Sequence, residues 1–159
     1  MSSTVNPIPA GYRSITPYLT IRGAAQAIDY YKKVFGAEEL SRMPSPDGRI
    51  GHAELKIGDS MIMLSDEFPE MGNHSAQALG GTPVGIMLYV DNVDAVFERA
   101  VAAGATVKVP LADQFWGDRF GRLTDPFGND WSLACHIEDV SPEEMERRAA
   151  AAFSKEKQN

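Results

Sequence analysis

An internal repeat constrains the fold of this 159-residue chain more than any other feature. A strand-like segment ending at Ile21 leads into a helical segment closed by Gly36-Ala37. The same sequence of features returns with a segment ending at Val90 and a helix closed by Gly104-Ala105. Each copy continues into strand-like segments broken by a tight turn. Self-similarity of this length is typical of two copies of one supersecondary unit, so we expect two modules with a site where they meet.

Composition limits the classes to which the chain can belong. The formal net charge is −7, from 22 Asp and Glu against 15 Lys and Arg. This argues against partners such as nucleic acid and anionic membranes, because both attract clustered basic residues. No segment approaches the roughly 18 apolar residues of a membrane span, and residues 1–11 lack a leader-like pattern, so we expect a cytoplasmic protein. Cys135 is the only cysteine, which excludes an intramolecular disulfide and a zinc site of several cysteines.

Chain length and apolar content bear on the number of domains. The chain is 43% apolar, and half-modules of about 60 to 70 residues are marginal when they fold alone. We therefore expect one domain over residues 12–139, made of modules at about 12–67 and 83–139. A C-terminal helix and tail should follow at 140–159.

The first copy has the pattern of a βαβββ unit. Alternation over residues 15–21 predicts a half-buried strand, and apolar positions on one face predict a helix over 24–35 that ends at Gly36. A short strand near 39–43 and a hairpin complete the unit. The hairpin joins 49–57 to 60–65 through Gly58-Asp59.

The second copy follows a linker at 68–83 and repeats this order. It predicts a strand at 84–90, a helix at 93–103, a strand at 106–111 and a hairpin of 120–124 with 130–136. Ser141-Pro142-Glu143-Glu144 is a capping-box pattern that predicts a last helix from 143 to about 155. The predicted fold class is α+β: two βαβββ modules forming a cupped, mostly antiparallel eight-stranded sheet with helices outside.

The turn of the first hairpin predicts which way its side chains face. A two-residue turn pairs Ile57 with Ser60 and Leu55 with Ile62. Strand alternation then sends Ala53, Leu55, Ile57, Ile62 and Leu64 to the helix. The opposite, cleft-lining set is His52, Glu54, Lys56, Met61, Met63 and Ser65. On the other strands the cleft-lining set is Thr16, Tyr18, Thr20, Gly85, Met87, Tyr89, Asp130, Ser132, Ala134 and His136.

These features together resemble the vicinal oxygen chelate superfamily, the group of glyoxalase I, extradiol dioxygenases, fosfomycin resistance enzymes and bleomycin resistance proteins. The resemblance rests on the paired modules, on Ala27-Ile28-Asp29-Tyr30-Tyr31 and on Asp125-Pro126-Phe127-Gly128, and it covers roughly residues 12–136. His52-Ala53-Glu54-Leu55, Gly58-Asp59-Ser60 and segment 113–121 are similar to the PhnB-like branch. The resemblance implies a cup of sheets around a cleft that holds a divalent metal or a ligand.

The resemblance also implies where a metal would bind. Metal enzymes of the superfamily draw His or Glu ligands from the first and fourth strands of both modules, which correspond here to Thr16, Met63, Gly85 and Ser132. Thr and Ser are poor ligands for a divalent metal, Met is soft and Gly offers no side chain. We expect no metal at these positions and no cofactor, with a divalent metal at a relocated site as the alternative.

His52 and Glu54 are the candidate catalytic residues. They lie two apart on one strand face, a spacing that suits a metal pair, a general acid/base pair or a hydrogen-bonded ion pair that lines a wet cup. Two ligands are too few for a tight structural metal. A third could come only from Asp130, His136 or a neighbouring chain.

The candidate ligand-binding residues line the same expected cleft. Methionines and tyrosines would make an adaptable, partly aromatic wall for an organic ligand, or they could simply fill core space. Trp116 could stack on a planar ligand or seal a module or dimer seam. Arg119 could grip an anion or pair with Asp113 or Asp118. The full set is Tyr18, Thr20, Met61, Met63, Met87, Tyr89, Trp116, Arg119 and Ser132.

Three functions fit these observations. The first is a metal-free binder of a small organic molecule in the cleft between the repeats, which the loss of all four inherited ligand positions favours. The second is a lyase, isomerase or dioxygenase-type enzyme that uses His52 and Glu54 as acid/base groups or as a relocated metal site. The third is an interaction module with a vestigial cleft. Related folds are often dimers, so a homodimer is expected.

Overall fold

The structure, a computed structural model, describes residues 5–156, with side chains as far as residue 154. Residues 157–159 of the expected tail, like residues 1–4, lie outside the described part. The chain divides into two compact units, a first unit that ends at Gly81 and a second unit that begins at Thr82. No helix within residues 5–156 is long and apolar enough to cross a bilayer.

The first unit is a βαβββ module. Its elements are β1 (Tyr18–Ile21), α1 (Ala24–Phe35), β2 (Glu38–Pro44), β3 (Ile50–Ile57) and β4 (Ser60–Asp66). The spatial order of the strands is β1-β4-β3-β2, with β1 parallel to β4 and the other pairs antiparallel. A single 3-10 turn (Pro69–Met71) and the four-residue helix α2 (Ala76–Leu79) follow within the segment expected to be a plain linker.

The first hairpin has the predicted register. Ile57 pairs with Ser60, Leu55 with Ile62 and Glu54 with Met63. The side chains predicted to pack on the helix are all buried: Ala53, Leu55, Ile57, Ile62 and Leu64. Their face of the sheet meets α1, which contributes its own buried stripe of Ala27, Ile28, Tyr31 and Val34.

The N-terminus of α1 is capped from a distance. Gly23, the residue before the helix, offers no side chain, and Asp66 at the end of β4 supplies the acceptor instead. Asp66 Oδ1 accepts hydrogen bonds from the backbone N–H groups of Gly23 (3.1 Å) and Ala24 (2.9 Å). Asp66 Oδ2 accepts one from Ile50 N at the start of β3 (2.7 Å). One carboxylate therefore joins α1, β3 and β4.

The second unit repeats the module. Its elements are β5 (Gly85–Tyr89), α3 (Val93–Ala102), β6 (Thr106–Asp113), β7 (Asp118–Thr124), β8 (Asp130–His136) and the added helix α4 (Pro142–Glu156). The strand order is β5-β8-β7-β6, again with one parallel pair, β5 with β8. The α+β fold of two βαβββ modules is confirmed, and the eight strands form two four-stranded sheets.

The turn between β7 and β8 explains its Asp-Pro-Phe-Gly sequence. Asp125 is buried, and its Oδ1 accepts hydrogen bonds from the backbone N–H groups of Phe127 and Asn129, each at 2.9 Å. Its Oδ2 accepts one from the indole N–H of the buried Trp131, also at 2.9 Å. Gly128 has a φ of 88°, in the region that favours glycine. The motif thus organises a turn and anchors a core side chain.

Candidate functional site

Three polar side chains contact one another in a row on the open face of the first sheet, the face opposite α1. A hydrogen bond joins the Tyr18 hydroxyl and His52 Nδ1 at 2.9 Å. On the other side of the imidazole, His52 Nε2 lies 3.5 Å from Glu54 Oε1. Alternation along β3 puts His52 and Glu54 on one face, and β1 brings Tyr18 next to them through its pairing with β4. The predicted pair thus gains a third member, a phenol.

Glu54 is held as a carboxylate by its neighbours. The Tyr12 hydroxyl contributes most to keeping the pKa of Glu54 below its ordinary value. Burial opposes it, and His52 and Ser41 add smaller lowering effects. Ser41 Oγ donates to Glu54 Oε2 at 3.2 Å. The Tyr12 hydroxyl is sealed from solvent beside Glu54 without a regular hydrogen bond to any described residue, and burial together with that carboxylate raises the pKa of Tyr12 to about 12. The pair is therefore a neutral phenol against a carboxylate at neutral pH.

An open pocket of about 360 Å³ lies beside this row. It is lined by Tyr18, Thr20, Gly51, Ser65, Phe68, Met71 and Asn73. Tyr18 belongs to both the pocket and the row, whereas His52 and Glu54 do not line the pocket. Of the three hydrogen-bonded side chains Tyr18, His52 and Glu54, Tyr18 is thus the one that a molecule in the pocket would contact.

One wall of the pocket comes from the segment between the modules. Phe68 and Asn73 form an isolated β-bridge, with Phe68 N donating to Asn73 O at 2.9 Å and Asn73 N to Phe68 O at 3.1 Å. Arg49 holds this loop in place: its guanidinium lies 4.0 Å from the centre of the Phe68 ring and donates to Glu67 O (3.0 Å) and Glu70 (2.6 Å). Phe68-Pro69 and Gly72 form a sequence pattern typical of a compact turn, which could have indicated this wall. The prediction of a surface crossover did not take that pattern into account.

Asp118 is a site residue that sequence reasoning missed. It is 4% exposed and lies on the open face of the second sheet, the face opposite α3. Its Oδ2 accepts hydrogen bonds from the Tyr89 hydroxyl (3.0 Å) and from the indole N–H of Trp116 (3.1 Å). Its Oδ1 lies 2.7 Å from His136 Nδ1. Two predicted ligand-binding residues, Tyr89 and Trp116, are therefore joined through a carboxylate that was considered only as a possible partner of Arg119.

His136 is the exposed end of this second cluster. Its Nε2 lies 2.9 Å from Asp139 Oδ1. Asp139 first, and Asp118 after it, raise the pKa of His136 above its ordinary value. The second unit therefore carries an imidazole between two carboxylates.

Arg119 does not share the open face with these residues. Its guanidinium makes two hydrogen bonds to Asp94 on α3, at 2.8 and 2.7 Å, and one to Asp113 at 3.0 Å. The helix-facing side of β7 is also marked by Gly121, where a Cβ would lie 2.6 Å from the Phe97 ring of α3. Strand alternation thus puts Arg119 on the α3 side, which corrects its assignment to the cleft and selects the ion-pair alternative with Asp113.

The remaining predicted residues fall on the open faces with different exposure. Met61 is buried and Met63 is half-buried in the first unit. In the second unit Met87 is exposed and Ser132 is half-buried. Their contact with a ligand stays a prediction.

The positions inherited from metal enzymes do not suit a divalent metal. Thr16, Met63, Gly85 and Ser132 supply no imidazole or carboxylate. Within residues 5–154, no group of three or more His, Cys, Asp or Glu side chains has an arrangement that could hold a metal ion. Among those side chains, therefore, no third metal ligand accompanies His52 and Glu54.

Comparison with known proteins agrees with the fold. The model of the Glyoxalase/Bleomycin resistance protein/Dioxygenase superfamily matches residues 15–133. The chain belongs to this superfamily. An uncharacterized protein of Mycobacterium bovis is 48% identical over 136 residues, which cover 84% of this chain and 90% of that protein. The resemblance inferred from the motifs is thus confirmed.

Solved structures share the architecture. Protein PA1353 from Pseudomonas aeruginosa has a TM-score of 0.67 and 29% identity, over 79% of this chain and 99% of that one. TnmS3, an antibiotic binding protein from Streptomyces sp. CB03234, has a TM-score of 0.56 and 23% identity, over 79% and 99%. At 23% identity, the similarity to TnmS3 concerns the fold alone.

Proposed function

We propose that this glyoxalase-superfamily protein binds a small organic molecule on the open face of its first sheet, without the metal that enzymes of the superfamily use. The pocket between Tyr18, Thr20 and the loop at 68–73 carries the proposal. Its volume of about 360 Å³ falls at the lower end of the range, roughly 300–1,000 Å³, that ligand pockets occupy. Its lining combines aromatic and thioether surface with hydroxyl and amide groups, which is the usual chemistry of organic-ligand sites.

Two further observations support the proposal, the first bearing on the metal and the second on binding. The inherited ligand positions carry side chains that a divalent metal does not favour. The same fold serves a binding function in TnmS3, the antibiotic binding protein. We also propose that the protein acts in the cytoplasm and that it is a homodimer. Light scattering coupled to size exclusion would test the homodimer.

A specific contact favours acid/base catalysis as the second candidate function. The Tyr18 hydroxyl meets His52 Nδ1, and the other imidazole nitrogen faces the Glu54 carboxylate. In the tautomer with hydrogen on Nε2, the phenol can pass its proton to Nδ1 as it takes one from a bound molecule. The resulting imidazolium would face Glu54. This arrangement suits a lyase or isomerase that moves a proton on its substrate.

Binding in the pocket is tested with two matched tyrosine variants. Tyr18→Phe removes the hydroxyl that meets His52, and Tyr89→Phe removes a tyrosine hydroxyl on the open face of the second sheet, which meets Asp118. A screen of small aromatic molecules by thermal shift, followed by calorimetry, should give compounds whose affinity falls in Tyr18→Phe and stays unchanged in Tyr89→Phe. Hits that respond only to Tyr89→Phe would contradict the proposed site.

The same compounds separate a binder from an enzyme. If the protein is a binder, the compound is recovered unchanged after prolonged incubation. His52→Ala and Glu54→Gln then change only the affinity, which they lower. If the protein converts a compound, and His52→Ala abolishes the conversion but still binds the compound, the acid/base alternative is correct. Folding of both variants is checked by urea denaturation.

A further inference from the structure

The pocket of the first unit is lined without a charged side chain. Its lining contains two aromatic residues, one methionine, two hydroxyl residues, one amide and one glycine: Tyr18, Phe68, Met71, Thr20, Ser65, Asn73 and Gly51. No Asp, Glu, Lys, Arg or His is among them, although 23% of the whole chain is charged.

The charged groups next to the pocket lining are held in ion pairs. Arg49 pairs with Asp47 and Glu70, each at 2.6 Å, and its guanidinium lies over the Phe68 ring. Arg22 pairs with Glu67 at 2.6 Å. An ion entering the pocket would therefore compete with ion pairs that already exist.

Two carboxylates next to the pocket wall also have hydrogen-bond partners within the protein. Asp66 follows the pocket residue Ser65, and its two oxygens accept three backbone hydrogen bonds. Ser75 and Arg22 hold Glu67, and lower the pKa of Glu67 to about 2. Neither carboxylate is available as a counter-charge for a ligand.

An ionic ligand would consequently lose part of its hydration in this pocket and would meet only charges that are already paired or hydrogen-bonded. Burial of a charge is unfavourable unless it is paired and hydrogen-bonded. An uncharged ligand loses far less, since the desolvation of its polar groups can be offset by single hydrogen bonds. The lining thus discriminates by charge before it discriminates by shape.

The same lining also indicates the shape and the polar group of the ligand. The half-exposed ring of Tyr18 offers flat apolar surface, and the exposed Met71 adds flexible apolar surface. The Thr20 hydroxyl and the Asn73 carboxamide make no side-chain hydrogen bond within residues 5–154, so they can serve a ligand. Hydroxyl and amide groups pair with ligand hydroxyl or carbonyl groups.

We propose that the pocket selects uncharged aromatic molecules that carry a hydroxyl or carbonyl group, and that it rejects their anionic and cationic analogues. This inference rests on the proposed function and names the ligand class of that site. Asn73 is the residue through which the charge preference can be changed, because its side chain is exposed at the pocket and its backbone has no positive φ.

Three probes with the same ring system test the charge preference. They are 2-naphthylmethanol, which is uncharged, 2-naphthoate, which is an anion, and 2-naphthylmethylamine, which is a cation at pH 7. Calorimetry of the full chain should show the alcohol binding at least ten-fold more tightly than either ion, and Tyr18→Ala should abolish this binding. If either ion binds as tightly as the alcohol through Tyr18, the inference fails while the proposed function stands. If no probe binds in a Tyr18-dependent way, the proposed function fails as well.

Substitution of Asn73 provides a gain-of-function test. Asn73→Asp should raise the affinity for the naphthylmethylammonium ion at least five-fold, and Asn73→Lys should do the same for naphthoate. Gln26→Asp and Gln26→Lys make the same charge changes on the exposed surface of α1 and should change neither affinity. Equal responses in the Gln26 and Asn73 variants would overturn the inference, because the effect would then be long-range. If the Asn73 variants unfold, the same comparison is made with Met71→Glu and Met71→Lys.

Discussion

Asp66 should be one of the most sensitive surface positions of the first unit. Its carboxylate accepts backbone hydrogen bonds from Gly23, Ala24 and Ile50 at 3.1, 2.9 and 2.7 Å. Loss of a helix cap costs about 1 kcal/mol, and loss of a charged acceptor for a further backbone N–H adds about 1.5 kcal/mol. We therefore expect Asp66→Ala to lower the free energy of unfolding by about 2 to 3 kcal/mol.

Such a loss is easily measured, since small domains are stable by only about 5 to 15 kcal/mol. Urea denaturation followed by circular dichroism should show a lower midpoint with an unchanged slope. Asp66→Asn keeps one acceptor oxygen for the helix end but turns an amide donor towards Ile50 N, so its cost should be intermediate. The matched control is Asp59→Ala in the exposed turn of the same hairpin, where, among the described residues, the carboxylate accepts a hydrogen bond from Ser60 Oγ alone. Equal effects of Asp66→Ala and Asp59→Ala would refute the capping argument.

Two further predictions concern the second unit. Gly121→Ala should destabilise the protein by about 1 to 3 kcal/mol, because its Cβ would lie 2.6 Å from the Phe97 ring, whereas Gly85→Ala, with open space around the Cβ, should be nearly neutral in the same urea assay. The pKa of His136, followed by NMR titration, should lie above its ordinary value and fall in Asp139→Asn. Because the folded pKa is raised, the stabilisation from this imidazolium is present in full below the unfolded pKa and is lost as the pH rises through the folded pKa. Equal stability of the two glycine variants, or an unchanged His136 titration, would contradict the corresponding contact.

The elements predicted with most success are those whose signals are local. Helix α1 begins at Ala24 and ends before Gly36, as the apolar stripe and the glycine predicted. Strand β1 is shorter than predicted and starts at Tyr18, because Pro17 has no N–H to offer to the ladder. The segment between the modules contains a 3-10 turn and a short helix that composition did not indicate, since each is defined by only a few hydrogen bonds.

The candidate site was predicted in part. His52 and Glu54 lie together with Tyr18 because alternation and the two-residue turn determine which face each strand presents. Arg119 was misplaced because Gly117 and Gly121 left the facing of β7 open, and only the packing of Gly121 against α3 decides it. The pocket wall was not predicted. The Phe68-Pro69 and Gly72 pattern could have indicated a compact turn, but the position of the loop at 68–73 depends on Arg49, which contacts it from earlier in the chain.

The sequence by itself therefore determined what short-range physics controls: the repeated module, the helix ends, the hairpin register and the loss of suitable side chains at the inherited metal positions. The tertiary structure alone decided which distant groups meet. Asp66 caps a helix more than forty residues away in the chain, as its contacts with Gly23 and Ala24 show, and Asp118 gathers Tyr89, Trp116 and His136 around one carboxylate. Side chains of this kind have no periodic signature, because a hydrogen-bond acceptor can be supplied from any element that packing brings close.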